Sequence, residues 1–424
     1  MINILSKIFK NKDKKNLYEK DFEDLRKKTN IEKIFDIISN FSEISEVRYV
    51  GGSIRKIINN EKVDDIDLAT NIIPEKVCEI LKKNKVSFYE SGINHGTITA
   101  KIDQHKFEIT TLRKDVLTDG RHAKVEFSND WYEDASRRDF TFNAIYADLH
   151  GNLYDPFDGK KDLNLGIVKF IGDPEERIKE DYLRILRYVR FFLNYSKNKH
   201  QPNIIKIIKQ NINGVIKLSK ERLIDELKKL VISNGFIKIC DDEFCKEILL
   251  LIFPQVKNID RIKKIKKNYK KELFNKDFIF LLSLLIVDET DNSEYFLYKF
   301  KMSNEAKSRI NFIKEIFNKS DDKDFFSKKN LQKVFYYQGM SYLLDAIDFK
   351  LFISNKKNSK LLELKKYFEN LDKPKFPIKA KVMMEKYNLK EGKELGQKLK
   401  SLENLWVENN FNISEKEVEN TFLN

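Results

Sequence analysis

The segment YVGGSIRKIINNEKVDDIDLAT constrains the fold of this chain more than any other part of the sequence. Its β-branched and aromatic start predicts a strand that runs into Gly51, Gly52 and Ser53, followed by a helix that carries Arg55. Glycines let backbone N–H groups approach a phosphate closely, and the start of the following helix adds positive potential. Gly-Gly-Ser alone is more typical of a plain turn, so a phosphate-binding role depends on its context.

A group of acids, Asp64-Asp65-Ile66-Asp67, supplies that context. Residues i and i+2 of a strand share a face, so Asp65 and Asp67 are predicted to project together while Asp64 faces the other way. Two converging carboxylates repel unless a cation joins them, and Mg²⁺ prefers such oxygen ligands. A solvated acidic turn is the alternative. Glu108, in KFEITTLR, could join from a neighbouring strand or could belong to an ordinary polar face.

The segment RRDFTFNA places an arginine pair at the predicted mouth of a strand. The guanidinium group matches phosphate oxygens in geometry and charge, so Arg137 and Arg138 could clamp a triphosphate. Asp139 and Asn143 are placed to contact a ribose. The alternative is an arginine–aspartate ion pair that caps the strand.

The segment EDYLRILRYVR predicts an amphipathic helix in which Arg184, Arg187 and Arg190 lie opposite an apolar arc. Asp181 is expected one helical turn from Arg184. Cytosine and adenine each present an amino donor beside a ring-nitrogen acceptor, so an aspartate acceptor and an arginine donor match both bases. Uracil and guanine have the opposite pattern and would be rejected. A structural salt bridge between Asp181 and Arg184 on a solvated helix is the alternative.

Composition favours a polyanionic partner and a reducing compartment. The chain has 80 basic and 66 acidic side chains among 424 residues, a net charge of +14, which suits nucleic acid. A lysine-rich solvated surface would give the same excess. Three cysteines without a CxxC motif argue against a disulfide framework or a zinc site and favour the cytoplasm. No apolar run approaches the roughly 18 residues of a membrane span, so no membrane association is expected.

The order of the predicted elements indicates an α+β fold. Short β-type runs alternate with helices up to about residue 150, whereas almost every segment after about residue 170 has helical periodicity. The sequence therefore predicts a mixed α+β head followed by an all-helical remainder.

In this order and spacing, the four motifs, with HGTIT, DPFDG and GDPEERIKEDYLRILR, resemble the class II tRNA nucleotidyltransferase and bacterial poly(A) polymerase family. The resemblance implies a DNA-polymerase-β-like nucleotidyltransferase head with a mixed sheet, followed by an all-helical neck, body and tail. The sequence itself predicts a charged leader and helix over 1–30. With the resemblance, the remaining parts are expected to be the head over 31–150, a neck with the base-selecting helix over 151–230, and a tRNA-binding body and tail over 231–424.

The resemblance also implies roles for individual residues. Asp65 and Asp67 would hold the metals, and LTDGRHAKVEF resembles a flexible loop implicated in the switch from C to A. Lys56 departs from the family pattern, which often has an acid there. The candidate catalytic acids are Asp65, Asp67 and Glu108, and the candidate nucleotide-binding residues are Gly51, Gly52, Ser53, Arg55, Arg138, Asp139, Asn143, Asp181, Arg184, Arg187 and Arg190.

The activity that the resemblance implies is template-independent addition of CCA to the 3′ end of tRNA from CTP and ATP. The segment GINHGT resembles the CCA-adding branch. A poly(A) polymerase and a partial enzyme that adds only CC or only A remain alternatives, as does an RNA-binding protein on an inactive polymerase scaffold. Whether the chain is a monomer or a dimer stays open.

Overall fold

The computed structural model describes residues 17–117, 124–320, 322, 324–354 and 358–423. The chain divides into two compact units, one ending at Ile252 and the other beginning at Phe253. The finer division into leader, head, neck and body stays a prediction, because packing alone separates only these two units.

A mixed β-sheet forms the centre of the first unit. Its seven strands are ordered β3-β4-β5-β2-β1-β8-β9, with β2 and β5 parallel and the other neighbours antiparallel. A separate hairpin pairs β6 with β7. The strands are β1 Val47–Val50, β2 Ile66–Thr70, β3 Ser87–Gly92, β4 Thr97–Ile102, β5 His105–Thr111, β6 Arg113–Leu117, β7 Lys124–Phe127, β8 Tyr146–Ala147 and β9 Leu153–Tyr154.

The first unit also contains eleven described helices, of which five precede β8 in the chain and six follow β9. They are α1 Glu19–Thr29, α2 Glu32–Ser39, α3 Gly52–Ile58, α4 Pro74–Lys83, α5 Trp131–Ser136, α6 Gly159–Leu165, α7 Pro174–Glu180, α8 Leu183–Tyr195, α9 Pro202–Asn211, α10 Lys220–Val231 and α11 Glu243–Ile252. Local sequence explains the start of α7: the Asp173 carboxylate accepts hydrogen bonds from the backbone N–H groups of Glu175 and Glu176, and Pro174 occupies the first helical position.

The described part of the second unit is helical. Its helices are α12 Asp260–Asn268, α13 Lys270–Phe274, α14 Phe278–Ile286, α15 Asn292–Lys299, α16 Asn304–Asn318, α17 Lys328–Gln338, α18 Met340–Ile353, α19 Ser359–Glu369, α20 Ala380–Tyr387, α21 Lys393–Glu408 and α22 Glu415–Leu423. The predicted α+β head with a helical remainder is thus confirmed. Across the described ranges, no helix combines the length and the apolar character needed to cross a bilayer.

Two local predictions need correction. The strand predicted beside the arginine pair, in the β-type run FNAIYADL, pairs only at Tyr146–Ala147, because Thr141–Asn143 form a 3₁₀ turn. The helix predicted from EDYLRILRYVR is not continuous, because it breaks at Asp181, whose backbone is extended (φ −151°, ψ 102°). Residues 118–123, part of the LTDGRHAKVEF segment that resembles a flexible loop, lie outside the described residues.

Candidate active site

A cavity of about 960 Å³ in the first unit brings most of the predicted site together. The candidate residues that line it are Gly51, Gly52, Arg55, Asp65, Asp67, Arg138, Asp139, Asn143, Asp181, Arg184, Arg187 and Arg190. Two candidates are not part of this lining. Ser53 is fully buried and its hydroxyl donates to the carbonyl of Val50, so it closes the turn. Glu108 is exposed on β5, directly beside Asp67 in the parallel register with β2.

The glycine turn connects β1 to α3 as the sequence predicts. Gly51 has a positive φ of 65°, which L side chains rarely adopt. A Cβ atom on Gly51 would lie 3.5 Å from the carbonyl oxygen of Asn143, and one on Gly52 would lie 3.6 Å from a carboxylate oxygen of Asp67. The turn therefore runs close to the acids and leaves its backbone accessible from the cavity.

The carboxylates meet at the start of β2. The strand begins at Ile66, so Asp65 and Asp64 precede it, and the alternation that was predicted to turn Asp64 away does not apply. Asp64 also lines the cavity, where it pairs with Lys62 at 3.1 Å and Lys56 at 3.6 Å. Lys56, the residue that departs from the pattern of the family the sequence resembles, thus forms an ion pair with Asp64.

Asp67 lies near two other carboxylates, those of Glu108 and Asp65. Burial raises the pKa of Asp67, and the charges of Glu108 and Asp65 raise it further, while Arg138 and Arg55 oppose them. A divalent cation would relieve this repulsion, and carboxylate oxygens are the ligands that hard cations prefer. The donor set of Asp65 and Asp67 therefore fits a metal ion of the Mg²⁺ class.

Asp134, which the motif analysis missed, holds both arginines of the RRD motif. Its carboxylate pairs with Arg137 through Oδ1 and with Arg138 through Oδ2, the latter at 2.9 Å, and Tyr146 donates its hydroxyl hydrogen bond to the same oxygen. The alternative, an arginine–aspartate ion pair within the motif, is wrong, because Arg137 and Arg138 both pair with Asp134 rather than with Asp139. The available signal was an acid three and four residues before the arginines, which follow the end of α5 directly.

Asp139 and Asn143 are joined to each other and to two other motifs. Asp139 accepts from the Asn143 amide at 2.8 Å and from Nε of Arg187 at 2.6 Å. Arg55 in turn donates from Nη1 to the side-chain oxygen of Asn143. Asp139 and Asn143 are both buried. A continuous polar chain therefore links the glycine turn, the RRD motif and α8.

The structure separates the proposed base-reading pair. Asp181 pairs with Arg222 of α10, with 2.7 Å between Oδ2 and Nη2, whereas Arg184 pairs with Glu180 at 2.7 Å. Arg184 also donates to the carbonyl oxygen of Arg177 at 2.6 Å and is buried rather than solvated. The alternative of a direct salt bridge between Asp181 and Arg184 is therefore wrong. Both side chains still line the same cavity.

A buried carboxylate on α10 organises the remaining arginines. Glu226, only 2% exposed, pairs with Nε of Arg190 and lies 3.8 Å from Nη1 of Arg187. The guanidinium carbons of Arg190, Arg187 and Arg55 lie 4.0, 5.3 and 4.8 Å from the centre of the Phe191 ring. Sequence reasoning missed Glu226, although its signal was an acid on the apolar face of an amphipathic helix.

A second polar cluster lies away from the cavity. His200 Nε2 lies 3.0 Å from Oδ2 of Asp242 and 3.7 Å from Sγ of Cys245, a grouping compact enough for a metal ion. The other ring nitrogen lies 3.0 Å from the Tyr188 hydroxyl. Burial raises the pKa of the Cys245 thiol, which disfavours the thiolate that a metal would need. These contacts link α8 to α11 through hydrogen bonds.

Comparison with known proteins identifies relatives over most of the chain. Residues 47–169 match the family model described as "Poly A polymerase head domain". The chain is 31% identical to the human protein named "CCA tRNA nucleotidyltransferase 1, mitochondrial" over 393 residues, which covers 89% of this chain and 86% of the human protein. It is 34% identical to the "CCA-adding enzyme" of Staphylococcus haemolyticus over 311 residues, covering 71% of this chain and 72% of that enzyme.

Solved structures agree on the fold. The crystal structure of the Bacillus stearothermophilus CCA-adding enzyme in complex with CTP superposes with a TM-score of 0.68 over 90% of this chain and 93% of that one, at 22% identity. A structure described as the Thermotoga maritima CCA-adding enzyme complexed with tRNA gives a TM-score of 0.58.

Proposed function

The chain belongs to the family of CCA-adding tRNA nucleotidyltransferases, and we propose that it adds CCA to the 3′ end of tRNA from CTP and ATP with release of pyrophosphate. The observation that carries this proposal is the convergence, in one cavity, of two carboxylates at the start of β2, a glycine turn with nearby arginines, and the pair Asp181 and Arg184. Together these groups provide for a metal ion, a triphosphate and a base edge. An inactive RNA-binding scaffold would not need the carboxylates.

Arg55 and Arg138 are proposed to bind the triphosphate beside the glycine turn. Arg138 is held by Asp134, and its Nη1 lies 3.7 Å from where a Cβ of Gly51 would stand. Nε of Arg55 finds no hydrogen-bond partner among the described residues. Backbone N–H groups of the turn and two fixed guanidinium groups are donors of the type that phosphate oxygens accept. We assign Asp139 and Asn143 to orienting these groups and the ribose.

Asp65 and Asp67 are proposed to hold Mg²⁺. When bound, the ion would lower the pKa of the tRNA 3′-hydroxyl and neutralise charge on the phosphates. The side chains that line the cavity align the 3′-hydroxyl with the α-phosphate of the nucleotide. Such positioning contributes much of the rate enhancement. Glu108 is proposed to act on Asp67 from the adjacent strand, since its charge raises the pKa of Asp67.

Asp181 and Arg184 are proposed to read the incoming base. The Asp181 carboxylate would accept from the amino group of C or A, and the Arg184 guanidinium would donate to the ring nitrogen. Arg187 and Arg190, held by Asp139 and Glu226, would add fixed positive charge beside this pair. Both base-reading residues have protein partners here, so the nucleotide would share their remaining donors and acceptors.

The proposed partner is tRNA, and the net charge of +14 supports binding to a polyanion. We assign the docking of tRNA mainly to the second, helical unit. The cytoplasmic location stays a prediction from the sparse cysteines, and the oligomeric state stays open.

The decisive experiment supplies tRNA that lacks its CCA end with CTP alone, ATP alone, or both, followed by sequencing of the 3′ ends. We expect two cytidines from CTP alone and complete CCA from the mixture. A long adenosine tail would identify a poly(A) polymerase, and products that stop at CC or that gain only A would identify a partial enzyme. Absence of any product with an intact, tRNA-binding protein would favour the inactive scaffold.

A further inference from the structure

Arg222 lies outside the predicted site but contacts one of its central residues. Its Nη2 lies 2.7 Å from Oδ2 of Asp181, across 41 positions in sequence. The other oxygen of Asp181 accepts from the backbone N–H of Leu183 at 3.1 Å. We infer that Arg222 is a positioning residue for base selection, one that fixes the Asp181 carboxylate in the orientation that reads C and A. This inference rests on the proposed function.

The two contacts restrain the carboxylate without consuming it. An ionised carboxylate has about four lone-pair sites, and Arg222 and the Leu183 N–H use one on each oxygen. The plane of the group is therefore set from both sides while an acceptor site remains on each oxygen. Because base discrimination depends on where an acceptor points, a carboxylate that rotates freely would distinguish an amino donor from a carbonyl less sharply.

The surrounding backbone makes this restraint necessary. Asp181 lies in the extended break between α7 and α8, so neither helix fixes its side chain by its own regular geometry. Its neighbour Arg184 is held by Glu180 and by backbone carbonyls, whereas the contacts that hold Asp181 are those with Leu183 and Arg222. The acceptor half of the base-reading pair thus depends on a residue from another helix.

The position of Arg222 is itself well determined. It lies in the first turn of α10, whose start is capped by the Ser219 hydroxyl, which accepts from the Arg222 backbone N–H at 3.4 Å. The buried face of α10, which includes Leu223 and Glu226, packs the helix against the rest of the first unit. The same helix therefore supplies Glu226 to the arginines of α8 and Arg222 to the aspartate before α8.

Partial exposure keeps the pair within reach of a nucleotide. The side chains of Arg222 and Asp181 are 31% and 26% exposed, and Asp181 lines the cavity. An ion pair this exposed contributes little to stability. If the ion pair had only a structural role, substitution of Arg222 would therefore change stability slightly and would not change base preference.

The test compares Arg222→Gln and Arg222→Lys with Lys228→Gln, a matched control that removes one positive charge from the exposed face of the same helix. The kcat/KM for CTP, ATP, UTP and GTP is measured for each full-length variant on tRNA that lacks CCA, together with thermal unfolding. We expect Arg222→Gln to reduce the preference for CTP over UTP and for ATP over GTP by about tenfold, part of the range for a base-edge contact. Arg222→Lys should restore part of it, and Lys228→Gln should match the wild type.

Unchanged ratios in Arg222→Gln, with all four rates equal to the wild type or lowered together, would overturn the inference. If Arg222→Gln does not fold, Arg222→Lys carries the test, because an ammonium group lacks the planar fork and should cause a smaller loss in the same direction; unchanged ratios there overturn the inference equally. A wild-type protein that shows no preference for C and A would instead overturn the proposed function, so the two failures are distinguishable.

Discussion

At the residue scale, buried carboxylates determine where the positive charges of the cavity lie. Asp134 holds Arg138, Asp139 holds Arg187, and Glu226 holds Arg190. Arginine side chains are flexible, and ordering them costs conformational entropy. Because these ion pairs form during folding, the guanidinium groups are already placed before a nucleotide arrives, which is the arrangement that favours electrostatic catalysis.

The metal assignment makes the sharpest prediction at this scale. Asp65→Asn and Asp67→Asn should each lower nucleotide incorporation by about a thousandfold or more, since an amide is a much weaker cation ligand and metal activation supplies several kcal/mol. Binding of tRNA should change little. Single-turnover incorporation and a gel-shift assay measure the two quantities. Asp64→Asn is the control: its carboxylate is engaged by Lys56 and Lys62, and its loss should be far smaller. Near-normal turnover in both Asp65→Asn and Asp67→Asn would contradict the metal site.

Asp134 makes a prediction about stability and pH. Burial alone would raise the pKa of Asp134, but Arg138, Arg137 and the Tyr146 hydroxyl outweigh it and hold the pKa well below its ordinary value. Asp134→Asn should therefore lower the free energy of unfolding by about 3–5 kcal/mol at neutral pH, because two mostly buried guanidinium groups lose the buried anion that pairs with them.

The sign of the pH dependence follows from the depressed pKa. The stabilisation is fully present above the unfolded pKa of about 4 and is lost as the pH falls through the folded value. The difference between wild type and Asp134→Asn should therefore shrink in acid, as measured by denaturant unfolding at several pH values. Asp130→Asn, on the same helix, is the control, since asparagine caps a helix as well as aspartate does. A difference that stays constant from neutral to acid pH would contradict this account.

At the element scale, the sequence predicted the types of elements better than their junctions. The strand, glycine turn and helix around Gly51 are confirmed, because β-branched runs and glycines report local backbone preference directly. The break at Asp181 was missed because periodicity continues through it, although an aspartate that caps Leu183 is a local signal. The ion pairs from Arg222 and Glu226 depend on how α10 packs, which local pattern does not encode.

The junction between α8 and the 3₁₀ turn Asn234–Cys240 gives a prediction at this scale. A Cβ on Gly235 would lie 2.6 Å from backbone atoms of Asn194, which cannot move without displacing α8. Gly235→Ala should therefore destabilise the protein by about 1–3 kcal/mol. Gly396→Ala is the matched control, because Gly396 is exposed within α21 and a Cβ there meets nothing within 4 Å among the described residues. It should stabilise by up to about 1 kcal/mol. Thermal unfolding of both variants measures the contrast, and equal effects would contradict it.

At the scale of the whole molecule, the candidate active site lies within one of the two compact units. Every residue that lines the cavity belongs to the first unit, whose boundary falls at Ile252. The change from β-type runs to helical periodicity predicted a helical remainder, because the local spacing of apolar residues distinguishes helices from strands. The sequence could not predict where one compact unit ends, since α8 to α11 are helical yet belong with the sheet.

This division predicts that the second unit serves tRNA binding rather than nucleotide chemistry. A chain that ends at Ile252 keeps the complete cavity, so we expect it to bind CTP with an affinity close to that of the full chain. Its affinity for tRNA should fall by about tenfold or more, because phosphate contacts dominate such binding and the removed unit is rich in lysine. For the full chain, log K should fall linearly with log salt, and the truncated chain should show a shallower slope because fewer counterions are released. Calorimetry with CTP and tRNA-binding curves at several salt concentrations measure both effects, and retained CTP binding verifies that the shortened chain is folded. Equal tRNA affinity and equal salt slopes would place the docking surface in the first unit, where the arginines beside the cavity would then have to carry it.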